Sequence, residues 1–208
     1  MKRTNALVYI LLGVMVGLFG CTETQTQEPV AKKEEKPPEP VDGQKAFFQM
    51  YIAARVWSPD AQGLRLESLH IPEVKRKGGA FGAWRATFVS PSKRRTAVFN
   101  YSVVEVGGKL QKGVFQDHEE GYSGGRDKPW PVSALKVGSA KALEVALEQK
   151  QAKEYVKTNP DKPMIFILEH TNRHPDLAWR VVWGERVSTS DFSVYVDATT
   201  GEFLEVMR

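Results

Sequence analysis

Cysteine is almost missing from this 208-residue chain, which has only Cys21. No disulfide can form within the chain, and no Cys-x-x-Cys pair is present for zinc or redox work. Long apolar runs are also scarce. The most apolar stretch, Ala6 to Phe19, is about 14 residues long, short of the roughly 20 that a membrane-spanning helix needs. Neither charge sign dominates: 29 Lys and Arg face 25 Asp and Glu, a net charge of +4. Two of those positive charges are Lys2 and Arg3, so the chain beyond them is nearly neutral. The pI of about 9.1 is then no argument for a nucleic-acid partner. There is no Gly-x-Ser-x-Gly nucleophile turn and no Gly-x-x-x-x-Gly-Lys phosphate cradle. The glycine-rich Gly121-Tyr122-Ser123-Gly124-Gly125-Arg126 does not join a strand to a helix as such a cradle must, and reads as a linker. The chain therefore reads as a non-enzyme with no cofactor.

Turning to what is there, Lys2 and Arg3 precede the apolar run, and small residues follow it. A basic start, a short apolar stretch and a small-residue exit describe an export signal. The end of this leader, Leu18-Phe19-Gly20-Cys21, resembles the lipobox of bacterial lipoproteins. Phe19 is bulkier than the family's usual residue. The resemblance implies cleavage before Cys21, a diacylglycerol on its sulfur and an acylated new amine. Two or more acyl chains hold a protein stably on a membrane, where one does so only marginally. Thr22, where some lipoproteins have Asp, implies onward sorting to the outer membrane if the cell has two.

Thr22 to Val41 holds five Glu and four Pro and almost no large apolar residue. It cannot bury enough surface to offset the entropy of ordering. Some 20 residues at about 3.1 Å each reach at most about 60 Å, a spacer between a bilayer and a folded body.

About 165 residues remain, enough for one medium domain or two small ones. They read as one pattern written twice. Asp42 can cap a helix whose Phe47, Met50, Tyr51 and Ala54 share a face, and Ser58-Pro59-Asp60 stops it. Strand candidates follow within Leu64 to Val74, from Ala83 to Val89, from Thr96 to Val106 and from Lys109 to Phe115. In the second copy Ser139 can cap a helix with Leu143, Ala146 and Leu147 on one face, stopped at Asn159-Pro160. Its strands are Met164 to Leu168, Ala178 to Val182, Phe192 to Val196 and Glu202 to Met207. Ala83-Trp84-Arg85 recurs as Ala178-Trp179-Arg180, at matching places in the order. Hairpin-length connections demand antiparallel pairing. Units this small bury limited core, so the copies are expected to pack together.

The second copy resembles a PepSY domain over about 132–208. Ala178-Trp179-Arg180-Val181 and the run from Val194 through Asp197-Ala198-Thr199-Thr200-Gly201 to Leu204 carry the resemblance. The first copy lacks the Asp-Ala-Thr-Thr-Gly pattern and matches only in outline. The expected fold class is α+β, with two tandem PepSY/cystatin-like units, each one helix plus about four antiparallel strands. The expected divisions are a signal at 1–20, lipidated Cys21 and tether at 21–41, units at 42–116 and 132–208, and a linker at 117–131. Asp197 and Gly201 read as turn residues: the carboxylate accepts turn N–H groups and the glycine takes positive φ. PepSY domains occur in propeptides of secreted metallopeptidases and in envelope proteins. The resemblance implies a non-catalytic body that binds a protein or peptide, with modulation of a separate peptidase as one form of that role. The other readings are a small metal-dependent hydrolase of the cell envelope and a structural envelope spacer.

Among candidate groups, His170 and His174 stand with two acids in Glu169 to Asp176. On a helix they would share a face and could hold zinc. Pro175 and the apolar run before them place them instead at a strand end and turn. Lys75-Arg76-Lys77 and Lys93-Arg94-Arg95 fall at expected turns, as solvated tips or as contacts for anionic lipid. Trp84 and Trp179 are expected in the core. Trp130, between two prolines, is the candidate for partner contact, or else packs between the copies.

Overall fold

The computed structural model describes residues 37–208; Cys21, the leader and most of the tether lie outside the described residues. Pro37–Arg208 forms one compact unit. Strand β1 (Val41–Asp42) leads into helix α1 (Gly43–Trp57), then β2 (Gln62–Leu69), β3 (Ala80–Phe81), β4 (Ala83–Ser90), β5 (Arg95–Ser102) and β6 (Gly113–Gly121). The second half holds α2 (Ser139–Glu148), α3 (Lys150–Thr158), β7 (Met164–Glu169), β8 (Ala178–Trp183), β9 (Phe192–Asp197) and β10 (Phe203–Met207). Eight strands make one sheet in the order β10-β9-β8-β7-β2-β4-β5-β6, with every pairing antiparallel. Short β1 pairs with β3 beside it. The protein is thus α+β, with three helices and a large antiparallel sheet. The two halves meet at the centre, where β2 lies against β7 and Glu67 stands opposite Ile167.

Period-two alternation explains what the repeated Ala-Trp-Arg triplet does. Trp84 and Trp179 point to the helix-covered face and are fully buried; Arg85 and Arg180 point to the other face. The indoles meet edge to face with centroids 6.3 Å apart. Each indole N–H donates to the chain entering its own half's helix: Trp84 to the Val41 carbonyl (2.8 Å), Trp179 to that of Val137 (2.7 Å). Gly43, the first residue of α1, runs directly over both rings. A Cβ there would lie 2.7 Å from one ring and 2.8 Å from the other.

Asp42 caps α1 by accepting from the Gln44 N–H (2.8 Å). The second helix departs from expectation. Its N-cap is Gly138, and the Ser139 hydroxyl does not cap its own helix. That hydroxyl accepts instead from the Gly43 N–H of α1 (2.8 Å). Asp42 in turn accepts from the Ala140 N–H of α2 (2.8 Å), while the single proton of the Ser139 hydroxyl lies closer to the Gly79 carbonyl (2.7 Å) than to Asp42 (3.1 Å). The two helix starts therefore satisfy each other's free N–H groups across the centre.

Further boundaries differ from the sequence reading; β2 starts at Gln62, before the expected Leu64, and β5 ends at Ser102, before the expected Val106. The second helix breaks at Gln149, whose extended backbone (ψ 132°) separates α2 from α3 with no Gly or Pro to mark it. Beyond the break, Tyr155 stacks on Phe192 at 4.4 Å. The last strand of the first half starts at Gly113, not Lys109, and runs to Gly121. Residues 117–121, expected in the linker, therefore form edge strand. Trp130, offered for partner contact, is 1 % exposed: its ring stacks on Phe47 at 4.8 Å and lies over Gly63. A paired bridge of backbone bonds to Gly63 holds it there, so the ring faces the core and not a partner.

The residues that end α1 tie it to the β4–β5 hairpin. Asp60 accepts from the hydroxyls of Ser58 (2.7 Å) and Ser90 (2.7 Å) and from the Ser92 N–H (2.8 Å). The Ser90 bond first, then those of Ser92 and Ser58, hold its carboxyl far below the ordinary range. A depressed carboxyl adds stability above its unfolded pKa of about 4, and that stability is lost as pH falls through the folded value. Asp60→Asn should therefore melt below wild type at pH 7. The gap should narrow as pH drops below about 4, and a gap constant from pH 7 to 2 would contradict this account. The basic tips are partly consumed nearby: Lys93 donates to the Trp57 carbonyl and sits 4.8 Å over its ring.

Candidate functional site: the helix-free sheet face

The helices pack on one side of the sheet, against Trp84, Phe88, Phe166, Trp179 and Phe192. Among the described residues no helix covers the other side. Register places a row of side chains across that face from edge to edge: Phe115, Asn100, Arg85, Glu67, Ile167, Arg180, Tyr195 and Glu205. Loops wall it. A cavity of about 610 Å³ is lined by Arg65, Glu67, His70, Ile165, Ile167 and Arg186. A second, of about 310 Å³, is lined by Arg126, Glu169, Arg173, Arg180, Tyr195 and Met207, among others.

Arg126 lines both cavities, and Glu169, at the end of β7, lines the smaller one. Glu169 is the buried charge of the pair. It is 4 % exposed, and burying a charge so deeply demands partners. Arg65 on β2 donates to it at 3.0 Å, Arg126 at 3.3 Å and the Tyr195 hydroxyl at 3.4 Å. Asp127 backs both arginines, at 3.4 Å from Arg65 and 3.2 Å from Arg126. Burial opposes the charge on Arg126, but Glu169 and Asp127 outweigh it and raise its pKa. Burial, then the Glu169 charge, pushes the Tyr195 phenol up. It therefore stays protonated at neutral pH and acts as a donor. Both Glu169 oxygens are engaged by these internal donors.

The sequence-predicted residues lie around this face more than in it. Asp197 ends β9: its Oδ1 accepts from the N–H groups of Thr199 and Thr200 (both 2.7 Å), and Gly201 takes φ +82°. His170 Nε2 lies 3.0 Å from the Pro175 carbonyl, and the His174 ring tilts against Tyr195 at 4.7 Å. Among the described residues no group of three or more His, Cys, Asp or Glu is placed to hold a metal ion. His118, on edge strand β6, lies between Asp117 and Glu120 at 3.4 Å from each. Cys21 lies outside the described residues. Sequence reading missed Arg65 and Glu67; it took Arg126 as part of a linker and Glu169 as one of two acids beside His170 and His174. The signal it had was the Arg that follows each repeated Trp, which period two sends to the opposite face.

No family model, no curated protein and no solved structure matches this chain.

Proposed function

We propose that the protein is a cell-envelope lipoprotein, held to a membrane by acyl chains on Cys21, whose body binds an extended protein or peptide segment without catalysing a reaction. In this reading the body is a divergent tandem pair of PepSY-like units, and modulation of a separate peptidase is one form its binding can take. The leader and the Leu18-to-Cys21 pattern support the attachment. The succession of one helical segment and four antiparallel strands in each half, with Trp84 and Trp179 at matching places, supports the pairing. The observation that carries the binding role is the helix-free face, with its loop-walled cavity of about 610 Å³. Edge strands β6 and β10 bound this face and offer unpaired backbone groups to an added strand.

The test has two arms. Mass spectrometry of native protein should find Cys21 as the first residue, carrying lipid, and Cys21→Ser should move the protein from the membrane to the soluble fraction. A bare thiol, or an intact leader, would sink the attachment. Photo-crosslinkers at Glu119 on β6 and Phe203 on β10 should capture one discrete partner from the envelope. Loss of that product on competition with an extended peptide would support binding at an edge; no product at either site would remove the binding role.

A further inference from the structure

The two arginines of the repeated triplet occupy matching places but have different neighbours. Arg85 lies between Glu67 on β2 and Asn100 on β5. It bonds both, with Nη1 at 3.6 Å from Glu67 and Nε donating to Asn100 at 3.1 Å. Arg180 lies between Ile167 on β7 and Tyr195 on β9. The acid and the amide that serve Arg85 are thus replaced by an alkyl chain and a phenol ring. Yet Arg180 is the more deeply placed of the two, at 8 % exposure. Its Nε donates to the Ser193 hydroxyl (3.2 Å) and its Nη2 to the Met207 sulfur (3.3 Å), a weak acceptor. Tyr195 lies under it, 5.3 Å from ring centre to guanidinium carbon.

Charge and burial together single out Arg180 again: Arg186, on the same face and also without an ion pair among the described residues, is exposed, whereas Arg180 is buried. Arg65, Arg85, Arg126 and Arg173 are matched one for one by Glu67, Asp127, Glu169 and Glu205. Arg180 forms no ion pair among the described residues. A buried charge without a counter-ion is costly, and this one lines the cavity of about 310 Å³ together with Arg126 and Arg173.

We propose that this cavity is a carboxylate-binding site whose principal ligand is the Arg180 guanidinium. The planar fork of an arginine matches the two oxygens of a carboxylate, and Arg126 and Arg173 add positive charge to the rim. One unmatched cation balances a monoanion, and Glu169 in the wall repels a second negative charge. The carboxylate comes either from a small free acid or from the C-terminus of a peptide. The small-acid case stands without the envelope-lipoprotein reading; the peptide case rests on that reading and supplies its recognition chemistry.

The test is isothermal titration of the full chain with sodium acetate, sodium sulfate, a tripeptide with a free C-terminus and the same tripeptide amidated. Acetate should bind saturably. Arg180→Gln should weaken it by about tenfold or more, and Arg85→Gln should leave it unchanged. Should Arg180→Gln fail to fold, Arg126→Gln, whose side chain is 65 % exposed, must still weaken acetate severalfold. Tighter binding of the free tripeptide than of acetate, lost on amidation, identifies a peptide terminus. Acetate binding with neither tripeptide bound identifies a small acid and leaves the site standing while the peptide reading falls. No saturable acetate binding, equal loss in the Arg85 and Arg180 variants, or sulfate binding more tightly than acetate would overturn the proposal.

Discussion

Replacing Trp179 by alanine will remove about 4–5 kcal/mol of folding stability, a large part of what a domain has. Three losses add up. The indole is fully buried against Trp84 and Phe166, so its removal leaves a cavity at the centre of the core. It also leaves the Val137 carbonyl without its donor (2.7 Å) at the entry to α2, and an orphaned polar group costs about 1–3 kcal/mol if buried. Finally, Gly43 passes so close over the rings that the helix cannot settle into the space without moving Trp84 as well. Trp179→Phe keeps most of the ring and loses the N–H, so it should fall between wild type and alanine. Urea unfolding followed by far-UV circular dichroism measures the difference. A cost below about 2 kcal/mol for alanine would mean that the halves do not lean on this ring.

Asp42→Ala will cost about 2–4 kcal/mol, well above the roughly 1 kcal/mol of an ordinary N-cap. The reason is that one carboxylate serves two helices: Oδ1 takes the Gln44 N–H, and Oδ2 takes the Ala140 N–H. Its charge also sits at the positive end of both helix dipoles, each worth about 0.3–1 kcal/mol. Asp42→Asn should be nearly as damaging, because whichever way the amide turns, its NH2 group faces an N–H donor. Thermal melting checks this: a 172-residue unit shifts by about 2–4 °C per kcal/mol, so a drop near 2 °C would show that Asp42 caps one helix only.

Much of the fold was readable in the residues because it rests on local signals. Asp42, the Phe47-Met50-Ala54 face and Ser58-Pro59 bound α1 within a residue. The apolar runs at Met164 and Ala178 gave β7 and β8. What failed depends on distant partners. Ser139 has the chemistry of a cap, but Gly138 takes that place and its hydroxyl is claimed by Gly43, 96 residues away. Gln149 carries no breaking signal, and the break serves the stacking of Tyr155 on Phe192. Trp130 sits between prolines that suggest a surface loop, but Gly63, lacking a side chain, opens a slot for it in the core. The charged face was hidden for a similar reason. Arg65, Arg126 and Glu169 are far apart in sequence; the pairing of β2 with β7 brings Arg65 to Glu169, and the bond from the Lys128 N–H to the His170 carbonyl holds the loop that carries Arg126 beside them.

The clasp at Asp42 also fixes how this body answers a tug. Val41 and Asp42 are where the N-terminal segment enters the fold, and they are gripped by β3, by the Trp84 indole and by both helix starts. Tension arriving along that segment does not peel one terminal strand from an edge. It is delivered to the midline and shared by both halves, so the body resists as a single block until the clasp itself gives way.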